Sequence, residues 1–362
     1  MPEAEIIIGV HSATRPVERA VASLLANRRN ILVTVIAHNL DRESVATRLG
    51  DLLTDERVRI LDLNDGVRSP ANAFNFGLDN ATADFVGLLG SDDELAAGAL
   101  DAWLALADAH AADVVIAPIR RVESGAVPSP RVRGRRTHAL DGDRDRLFER
   151  TAPLGLWRRE RFAHLRFAEG LPRGVDQAFG LHLWFSDGSI VFDPISPPYI
   201  EHDDQRDRVT KAGGPASDDL AYLDAIEADP VFARMSRSAK RAVAAKILRV
   251  HVIGSISTHV TLTGLDPNDR ETFTEVWERL RQWAPGVDGI LSIRDVRVLR
   301  EATRSVIAGD ALAMALRKQR RSYLAFDALM TSNPVRVLHR HSPFRSLLGG
   351  RRTARAVNAL SR

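Results

Sequence analysis

The chain has 362 residues, of which 44% are hydrophobic and 27% charged, and its net charge is +3. This composition excludes a disordered or fibrous class, and the length allows two domains or one domain with a large appendage. The chain has no cysteine, which excludes disulfide frameworks, thiolate zinc sites and cysteine nucleophiles. No run reaches the roughly 18 apolar residues of a membrane span and no signal-peptide pattern is visible, so we expect a cytoplasmic protein.

The first 117 residues alternate between strand and helix patterns. Amphipathic stretches predict helices, among them 45–53 and 95–107, between short apolar runs. Such alternation implies an α/β fold with a mostly parallel sheet and ligands at the carboxyl ends of its strands. The apolar runs predict strands at Ile6–Val10, Ile31–Ala37, Val58–Leu63, Phe85–Leu89 and Asp113–Ala117.

Residues 118–150 break this rhythm with prolines, glycines and the eight arginines from Arg120 to Arg146, which predicts a long loop or hairpin insertion. A boundary is predicted near Lys211–Pro215, and helical patterns follow it at 218–229, 236–260 and 293–329, the last with a break at Gly309. Asp266 followed by Pro267 predicts the start of a further helix. We expect domains at 1–212 and 213–334, and a basic tail at 335–362 that contains seven arginines and no acid.

The segment Gly90-Ser91-Asp92-Asp93 directly follows the fourth predicted strand. Acids at the end of such a strand lie at the edge of a cleft, where they can hold a divalent cation. An alternative is that Ser91, Asp92 and Asp93 only cap the following helix, since these residue types are preferred at helix N-termini. The two interpretations are compatible.

Together with Asn75-Phe76-Gly77 and the run 81–84, this segment resembles the nucleotide-sugar half of an inverting family 2 glycosyltransferase. The resemblance spans about residues 5–210 and implies a GT-A fold, with a nucleotide-sugar half at 1–117, an acceptor half at 151–212 and a helical C-terminal region after it. It also implies a divalent metal, Mn²⁺ or Mg²⁺, held by Asp92 and His202, and the alternative for His202 is an ordinary surface histidine. Two positions depart from the family pattern: Gly90 replaces its first acid, and Ala37–Leu40 replaces its Asp-Asp-Gly-Ser segment.

The resemblance assigns donor and acceptor roles residue by residue. Asp176, in Val175-Asp176-Gln177, matches the acid that serves as general base, and the alternative is that it caps a helix. For Thr14 and Arg15 an equal alternative is a solvated loop, and a lone arginine such as Arg68 is often only surface. The implied nucleotide-sugar-binding residues are His11, Thr14, Arg15, Asn39, Asp62, Arg68, Asn75, Ser91, Asp92 and Asp93.

The favoured hypothesis is therefore a glycosyltransferase that moves a sugar, with inversion, from a nucleotide-sugar donor to a glycan, lipid-linked or cell-envelope acceptor. A second hypothesis is a catalytically degenerate protein of the same fold that binds sugar nucleotide or glycan. A third, a nucleic-acid binder, is disfavoured by the aromatic content of 6%. Apolar residues between the arginines of the tail predict peripheral contact with the inner face of the plasma membrane, with a solvated or oligomer-forming tail as the alternative.

Overall fold

A seven-stranded sheet forms the centre of the N-terminal half of the chain. In the computed structural model, which describes residues 1–134, 136–204, 214–262, 264–304, 309–319 and 324–359, its strand order is β10-β6-β9-β4-β1-β2-β3. All neighbours pair in parallel except β9, which is antiparallel to both β4 and β6. The strands are β1 Ala4–Val10, β2 Ile31–His38, β3 Val58–Leu63, β4 Phe85–Leu88, β6 Val114–Ile116, β9 Gly155–Arg158 and β10 Ile190–Val191.

The strands at the centre of the sheet are buried on both faces. Ile6, Ile7 and Ile8 on β1 alternate between two hydrophobic clusters, one on each side of the sheet. A strand covered on both faces reads as a continuous apolar run, which is why the sequence pattern located these strands. The helices of this half are α1 Val17–Leu25, α2 Arg42–Leu49, α3 Pro70–Asp79, α4 Ala99–His110 and α5 Gln177–Phe185.

A second sheet of four short strands lies at the carboxyl edge of the first, with the order β5-β11-β7-β8. Its strands β7 and β8 form the hairpin that was predicted for the insertion. Strand β5 was not predicted, because Leu95 was assigned to the start of the helix expected at 95–107. That helix begins only at Ala99. The four strands are β5 Glu94–Leu95, β7 Ile119–Arg121, β8 Gly125–Ala126 and β11 Tyr199–Glu201.

Two helix boundaries differ from the sequence prediction for local reasons. The helix predicted at 45–53 begins at Arg42, because Asp41 caps it by accepting a hydrogen bond from Glu43 N–H. It ends at Leu49, and a 3₁₀ turn, Gly50–Thr54, follows. Gly50 has φ +51°, a backbone conformation that glycine adopts without strain and that ends an α-helix.

The C-terminal half is helical. The run predicted at 236–260 is one continuous helix with a π-helical turn, Ile247–Val252, in its middle. Among the described residues, the predicted run 293–329 consists of three helices; the first ends at Ala302, and the second begins at Gly309, where the break was predicted. The helices are α6 Ala216–Leu220, α7 Tyr222–Ala228, α8 Pro230–Arg234, α9 Arg237–Lys246, α10 Ile253–Leu262, α11 Pro267–Trp283, α12 Ile293–Ala302, α13 Gly309–Gln319, α14 Phe326–Leu329 and α15 Pro343–Ala359.

One hydrophobic cluster connects the helical half to the rest of the protein. It joins Leu181 of α5 and Phe148 of the insertion to residues of α6 through α13. The expected cap of α11 is confirmed as a capping box between Asp266 and Asp269. No helix among the described residues is long and apolar enough to cross a membrane, and three residues of the predicted domain boundary, 211–213, lie outside the described part.

Candidate active site at the carboxyl edge of the sheet

The turn after β4 places three acids, Asp92, Asp93 and Glu94, at the edge of the sheet. Gly90 begins the turn, and its N–H donates a hydrogen bond to the Tyr199 hydroxyl at 2.9 Å. A Cβ atom at position 90 would lie 2.6 Å from Asp93 Oδ2 and 3.2 Å from the Tyr199 hydroxyl. Glycine at this position therefore allows Asp93 and Tyr199 to pack against the backbone, and an acid could not occupy it in this arrangement.

Asp92 forms a buried ion pair with an arginine from the neighbouring strand end. Its Oδ2 lies 2.5 Å from a terminal nitrogen of Arg15, and the two side chains are 12% and 5% exposed. Arg19, on α1, donates a hydrogen bond to the Asp92 carbonyl oxygen. Arg15 is thus a residue of the site rather than a solvated loop residue, and two guanidinium groups converge on the end of β4.

Asp93 and His202 connect the acidic turn to the second sheet. Asp93 accepts hydrogen bonds from the Tyr199 hydroxyl at 2.7 Å and from the backbone N–H of His202 at 2.9 Å. Burial raises the pKa of Asp93 to about 6, against the opposing effect of these two hydrogen bonds. The ring of His202 faces Glu94, with Nε2 3.0 Å from Oε1.

The fit of a metal depends on these contacts. Asp92 is paired with Arg15, and His202 is paired with Glu94. Within the part of the chain that the structure describes, no group of three or more His, Asp or Glu side chains could hold a metal. Mg²⁺ often takes only one or two protein carboxylates and completes its shell with substrate phosphates and water, so Asp92 remains suited to that role once a diphosphate is bound.

The loop that carries Asp176 lies between α3 and the helical half. Asn75 of α3 accepts a hydrogen bond from Phe167 N–H at 2.8 Å and donates to the Phe167 carbonyl at 3.0 Å and to Glu169 at 2.8 Å. Further along the loop, Ala168 N–H donates to the Val175 carbonyl. Asn75, which the resemblance placed against the nucleotide, here anchors the acceptor-side loop.

Asp176 lies just before α5, but its side chain makes no capping hydrogen bond. Burial raises its pKa, and the positive charge of Lys246, on α9, partly offsets that shift. Lys246 Nζ donates to Thr151 Oγ1 at 2.8 Å and to Gln177 Oε1 at 3.4 Å, and burial lowers its own pKa to about 8. An acid that is partly buried, makes no capping hydrogen bond and interacts with a nearby lysine is a candidate proton acceptor.

Two further polar groups from the helical half lie near Asp176. Tyr222 packs against Gly174, where a Cβ would lie 2.6 Å from its ring. The Asp176 charge contributes, after burial, to raising the pKa of Tyr222. The ring of His251 lies 5.5 Å from that of Tyr222, and neither the Tyr222 hydroxyl nor His251 Nε2 has a hydrogen-bond partner among the described residues. Buried polar atoms of this kind are uncommon and suit a hydroxyl-bearing ligand.

Comparison with known proteins identifies the domain around this site. Residues 5–168 match the family model described as glycosyl transferase family 2. The chain carries a family 2 glycosyltransferase domain. The chain is therefore a glycosyltransferase, and the predictions of the family and of an enzyme are confirmed.

The solved structures confirm the GT-A fold. The crystal structure of S. aureus TarS 1-349 in complex with UDP-GlcNAc has a TM-score of 0.68 and 17% identity, and covers 91% of this chain and 95% of that chain. The complex of the same protein with UDP has a TM-score of 0.65, 17% identity and coverages of 90% and 94%. The longer TarS structure has a TM-score of 0.63 and 16% identity, and the match covers 91% of this chain and 57% of that one. No curated protein matches the chain.

At the ends of β2 and β3, the structure brings together polar groups around an acid that the sequence analysis did not name. Asp65 follows β3 and accepts hydrogen bonds from His38 Nε2 at 2.9 Å, Asn39 Nδ2 at 3.1 Å and Asn72 Nδ2 at 2.8 Å. Burial opposes ionisation of Asp65, but these hydrogen bonds and one from Val67 N–H hold its pKa well below the usual range. Asp65 therefore gathers the polar groups at the ends of β2 and β3.

The remaining predicted donor residues lie at or near the same edge. Asn39 holds the loop after β3 through Gly66 N–H and the Val67 carbonyl. Asp62 is directed away from the other groups, towards Arg42 on α2 at 3.0 Å. Ser91 is buried, whereas five of the predicted residues are exposed. The exposed residues are His11, Thr14, Asn39, Asp62 and Arg68.

Except for Asp65, the residues that the sequence analysis missed have roles that depend on contacts with distant segments of the chain. Arg19 and Lys246 lie on helices whose patterns show only an apolar face, and Tyr199 lies in a two-sheet contact 109 residues from Gly90. Asp65 had a local signal, since it is the first acid beyond the end of β3. The other residues had none.

Proposed function

We propose that the protein transfers a sugar from a nucleoside diphosphate donor to a hydroxyl of a glycan, lipid-linked or cell-envelope acceptor, with inversion at the anomeric carbon. The observation that carries the proposal is the pair of acids in contrasting surroundings. Asp92 is paired with Arg15 at the end of β4, and Asp176 is partly buried with a raised pKa on the acceptor side. A uridine donor is the first to test, because TarS was crystallised with UDP-GlcNAc.

At the donor end, the residues of the site must bind a diphosphate and stabilise the charge that develops on it. Arg15 and Arg19 already meet at the Asp92 turn, and guanidinium groups bind phosphate oxygens in bidentate geometry. Asp92 and His202 are the residues that would hold a divalent cation, Mn²⁺ or Mg²⁺, after exchanging their present partners. The cation would neutralise the charge of the departing diphosphate.

At the acceptor end, a base must take the proton of the attacking hydroxyl. A carboxylate whose pKa is raised towards the working pH is a more effective base than an exposed one. The Asp176 carboxylate would accept the proton while the acceptor oxygen attacks the anomeric carbon opposite the departing diphosphate, which gives inversion. The Tyr222 hydroxyl and His251 Nε2, which have no hydrogen-bond partner in the part of the chain that the structure describes, would bind other hydroxyls of the acceptor.

The donor proposal is tested by isothermal titration with UDP, GDP and dTDP, each with and without MnCl₂. We expect one nucleotide to bind in a metal-dependent manner to the wild type and the Asp92→Asn variant to lose that dependence. Asp187→Asn is the matched control, because the Asp187 side chain is 97% exposed and remote in sequence from the turn. Absence of binding by all three nucleotides would contradict the proposal.

The base proposal is tested with Asp176→Asn. We expect turnover of a panel of donors and acceptors to fall by roughly 10²- to 10⁴-fold, the usual contribution of a general base. Nucleotide affinity should stay at the wild-type value, and the anomeric configuration of the wild-type product, read by NMR, should be opposite to that of the donor. Retention of configuration, or full turnover by the variant, would exclude Asp176 as the base of an inverting transfer.

Peripheral membrane contact is a separate part of the proposal. Val335 and Leu338 are 91% and 68% exposed; Val335 directly precedes Arg336 in the chain, and Leu338 lies between Arg336 and Arg340. Apolar side chains beside arginines favour an anionic bilayer surface. The protein should co-sediment with vesicles that contain phosphatidylglycerol but not with phosphatidylcholine vesicles, and Leu338→Ser should weaken the binding. Equal sedimentation with both would indicate that the tail does not recognise the surface.

A further inference from the structure

A large cavity lies between the arginine-rich insertion and the helical half. Its volume is about 930 Å³, within the range of sites that enclose small organic ligands. The insertion contributes one wall through 127–131 and 148–149, and the helix formed by α9, the π-helical turn and α10 contributes another. The first turns of α15 close it, with Gly350 packed so tightly on the insertion that a Cβ there would lie 3.0 Å from Arg131 Nε. We call this space the basic cavity.

Most of the wall of the basic cavity is apolar. The helices supply alanines, leucines, Val250 and Ile253, and the insertion supplies Val127, Pro128 and Phe148. The basic side chains exceed the acidic ones by four to two. They are Arg131, Lys246, Arg249 and Arg351, against Glu149 and Asp295.

The acids of the basic cavity do not fully satisfy its arginines. Asp295 is occupied by the cap of α12 and by Gln319 at 2.7 Å, and it approaches Arg249 only to 3.7 Å. Glu149 pairs with Arg131 at 2.5 Å through a single oxygen. Among the described residues, Nε of Arg131 and Nε of Arg249 are buried without a hydrogen-bond partner.

The arginines at this end also repel one another. Burial lowers the pKa of Arg249, and the charge of Arg131 lowers it further. The same holds for Arg146, where the charges of Arg131, Arg340 and Arg345 add to the effect of burial. A bound anion with two negative charges would remove this repulsion and fill the empty hydrogen-bonding positions.

We propose that the basic cavity binds a single-chain amphiphile with a phosphate headgroup, such as an isoprenyl phosphate. The phosphate would be held between Arg131 and Arg249, and the hydrocarbon chain would lie along the apolar wall formed by α9, α10 and α15. A phosphate monoester carries about −1.5 to −2 charges at pH 7, which matches the excess of two basic side chains. This site is separate from the proposed donor site at Asp92.

The test uses the full chain and farnesyl monophosphate as the probe, below its critical micelle concentration. Isothermal titration should show one molecule bound per chain. Farnesol and inorganic phosphate, titrated separately, should each bind at least tenfold more weakly, because each lacks one half of the recognition. Equal affinity for inorganic phosphate would show an ordinary anion site and overturn the proposal, and so would the absence of farnesyl phosphate binding.

Two variants locate the bound molecule. Arg249→Met keeps most of the stem but removes the charge, and it should weaken binding about tenfold or more, the usual effect of losing a hydrogen bond to a charged group. Gly254→Trp should block the cavity while retaining the fold, because a Cβ at Gly254 meets no atom within 4 Å and the residue lies within a helix.

Arg297→Met is the control for the loss of an arginine, since Arg297 is exposed on α12 and does not line the cavity. Thermal melting of each variant checks that it is folded. Nucleotide binding should be unchanged in Gly254→Trp, which separates failure of this proposal from failure of the donor proposal. If Arg249→Met and Gly254→Trp bind farnesyl phosphate with the wild-type affinity, as the control Arg297→Met should, the ligand binds elsewhere and the assignment is refuted.

Discussion

Replacement of Asp93 by asparagine should make folding stability less dependent on pH. In the wild type, Asp93 is a carboxyl group whose burial raises its pKa to about 6, from 3.8 for an ordinary aspartate. The asparagine amide cannot ionise, but it has the same shape. Its oxygen can accept the hydrogen bond from His202 N–H, and its NH₂ group can donate to the Tyr199 hydroxyl oxygen, so both partners of the side chain are kept, although the hydrogen bond with Tyr199 is reversed.

The sign and size follow from the two pKa values. The folded state holds the Asp93 proton more tightly than the unfolded state, so the free energy of unfolding falls as the pH rises between 3.8 and about 6. A difference of about two pKa units corresponds to roughly 3 kcal/mol, because one unit is worth about 1.4 kcal/mol. Since water reaches part of the side chain, this value is an upper limit.

Equilibrium urea unfolding at several pH values between 4 and 7.5 measures the effect. Other acids titrate in this range, so the relevant quantity is the difference between the wild type and Asp93→Asn at each pH. Fluorescence and far-UV circular dichroism transitions must coincide for the free energies to be compared. We expect the variant to gain stability relative to the wild type as the pH rises, by at most about 3 kcal/mol between pH 4 and 7.

Parallel curves for the two proteins would refute this reasoning. They would show that Asp93 ionises in the folded protein at the same pH as in the unfolded chain. The hydrogen bonds from Tyr199 and His202 would then offset the cost of burial completely, and the acidic turn would not bias the protein towards binding a cation. A variant that loses stability at every pH would instead show that the amide does not reproduce the hydrogen bonds.

Two other predictions concern the acceptor side. Replacing Lys246 by methionine removes a positive charge that lowers the pKa of Asp176, so the acidic limb of the pH profile of kcat/KM should move to higher pH. The control Lys246→Arg keeps the charge and should leave the limb in place. A limb that does not move in Lys246→Met would show that the lysine does not affect the pKa of the base. Asn75→Ala leaves the buried backbone groups of Phe167 without partners and should lower the free energy of unfolding by about 2 kcal/mol or more in urea. The exposed Asn64→Ala is its control, and equal effects would contradict the anchoring role of Asn75.

The elements that the sequence predicted well are those whose signals are local. The strand Val58–Leu63 has the predicted bounds, because its apolar run ends in a polar loop. The start of α11 follows from Asp266 and Pro267 alone. For the helices α12 to α14 the sequence predicted one run with a single break at Gly309, because their apolar faces share a period, and a period contains no information about where else a chain bends.

Pairing between distant segments was beyond such patterns. The two-residue strand Glu94–Leu95 forms only because residues 199 and 200 lie beside it, and alone it reads as the start of a helix. The same applies to the basic tail. Helix α15 of the tail packs on the insertion through Gly349 and Gly350, where a side chain would contact Arg131 or Arg146. The sequence pattern of the tail showed only a run of arginines.

Local patterns were sufficient to predict the α/β alternation and the acidic turn after β4, because strand burial and turn chemistry are properties of contiguous residues. The candidate base Asp176 was predicted from the family resemblance and not from such patterns. Which groups these acids contact depends on the tertiary structure. Arg15 reaches Asp92 across two parallel strand ends, Tyr199 reaches Asp93 across two sheets, and Lys246 and Tyr222 approach Asp176 from the helical half. These contacts join residues that are far apart in the chain, by as many as 106 positions for Tyr199 and Asp93. A periodic pattern along the chain contains no information about such contacts.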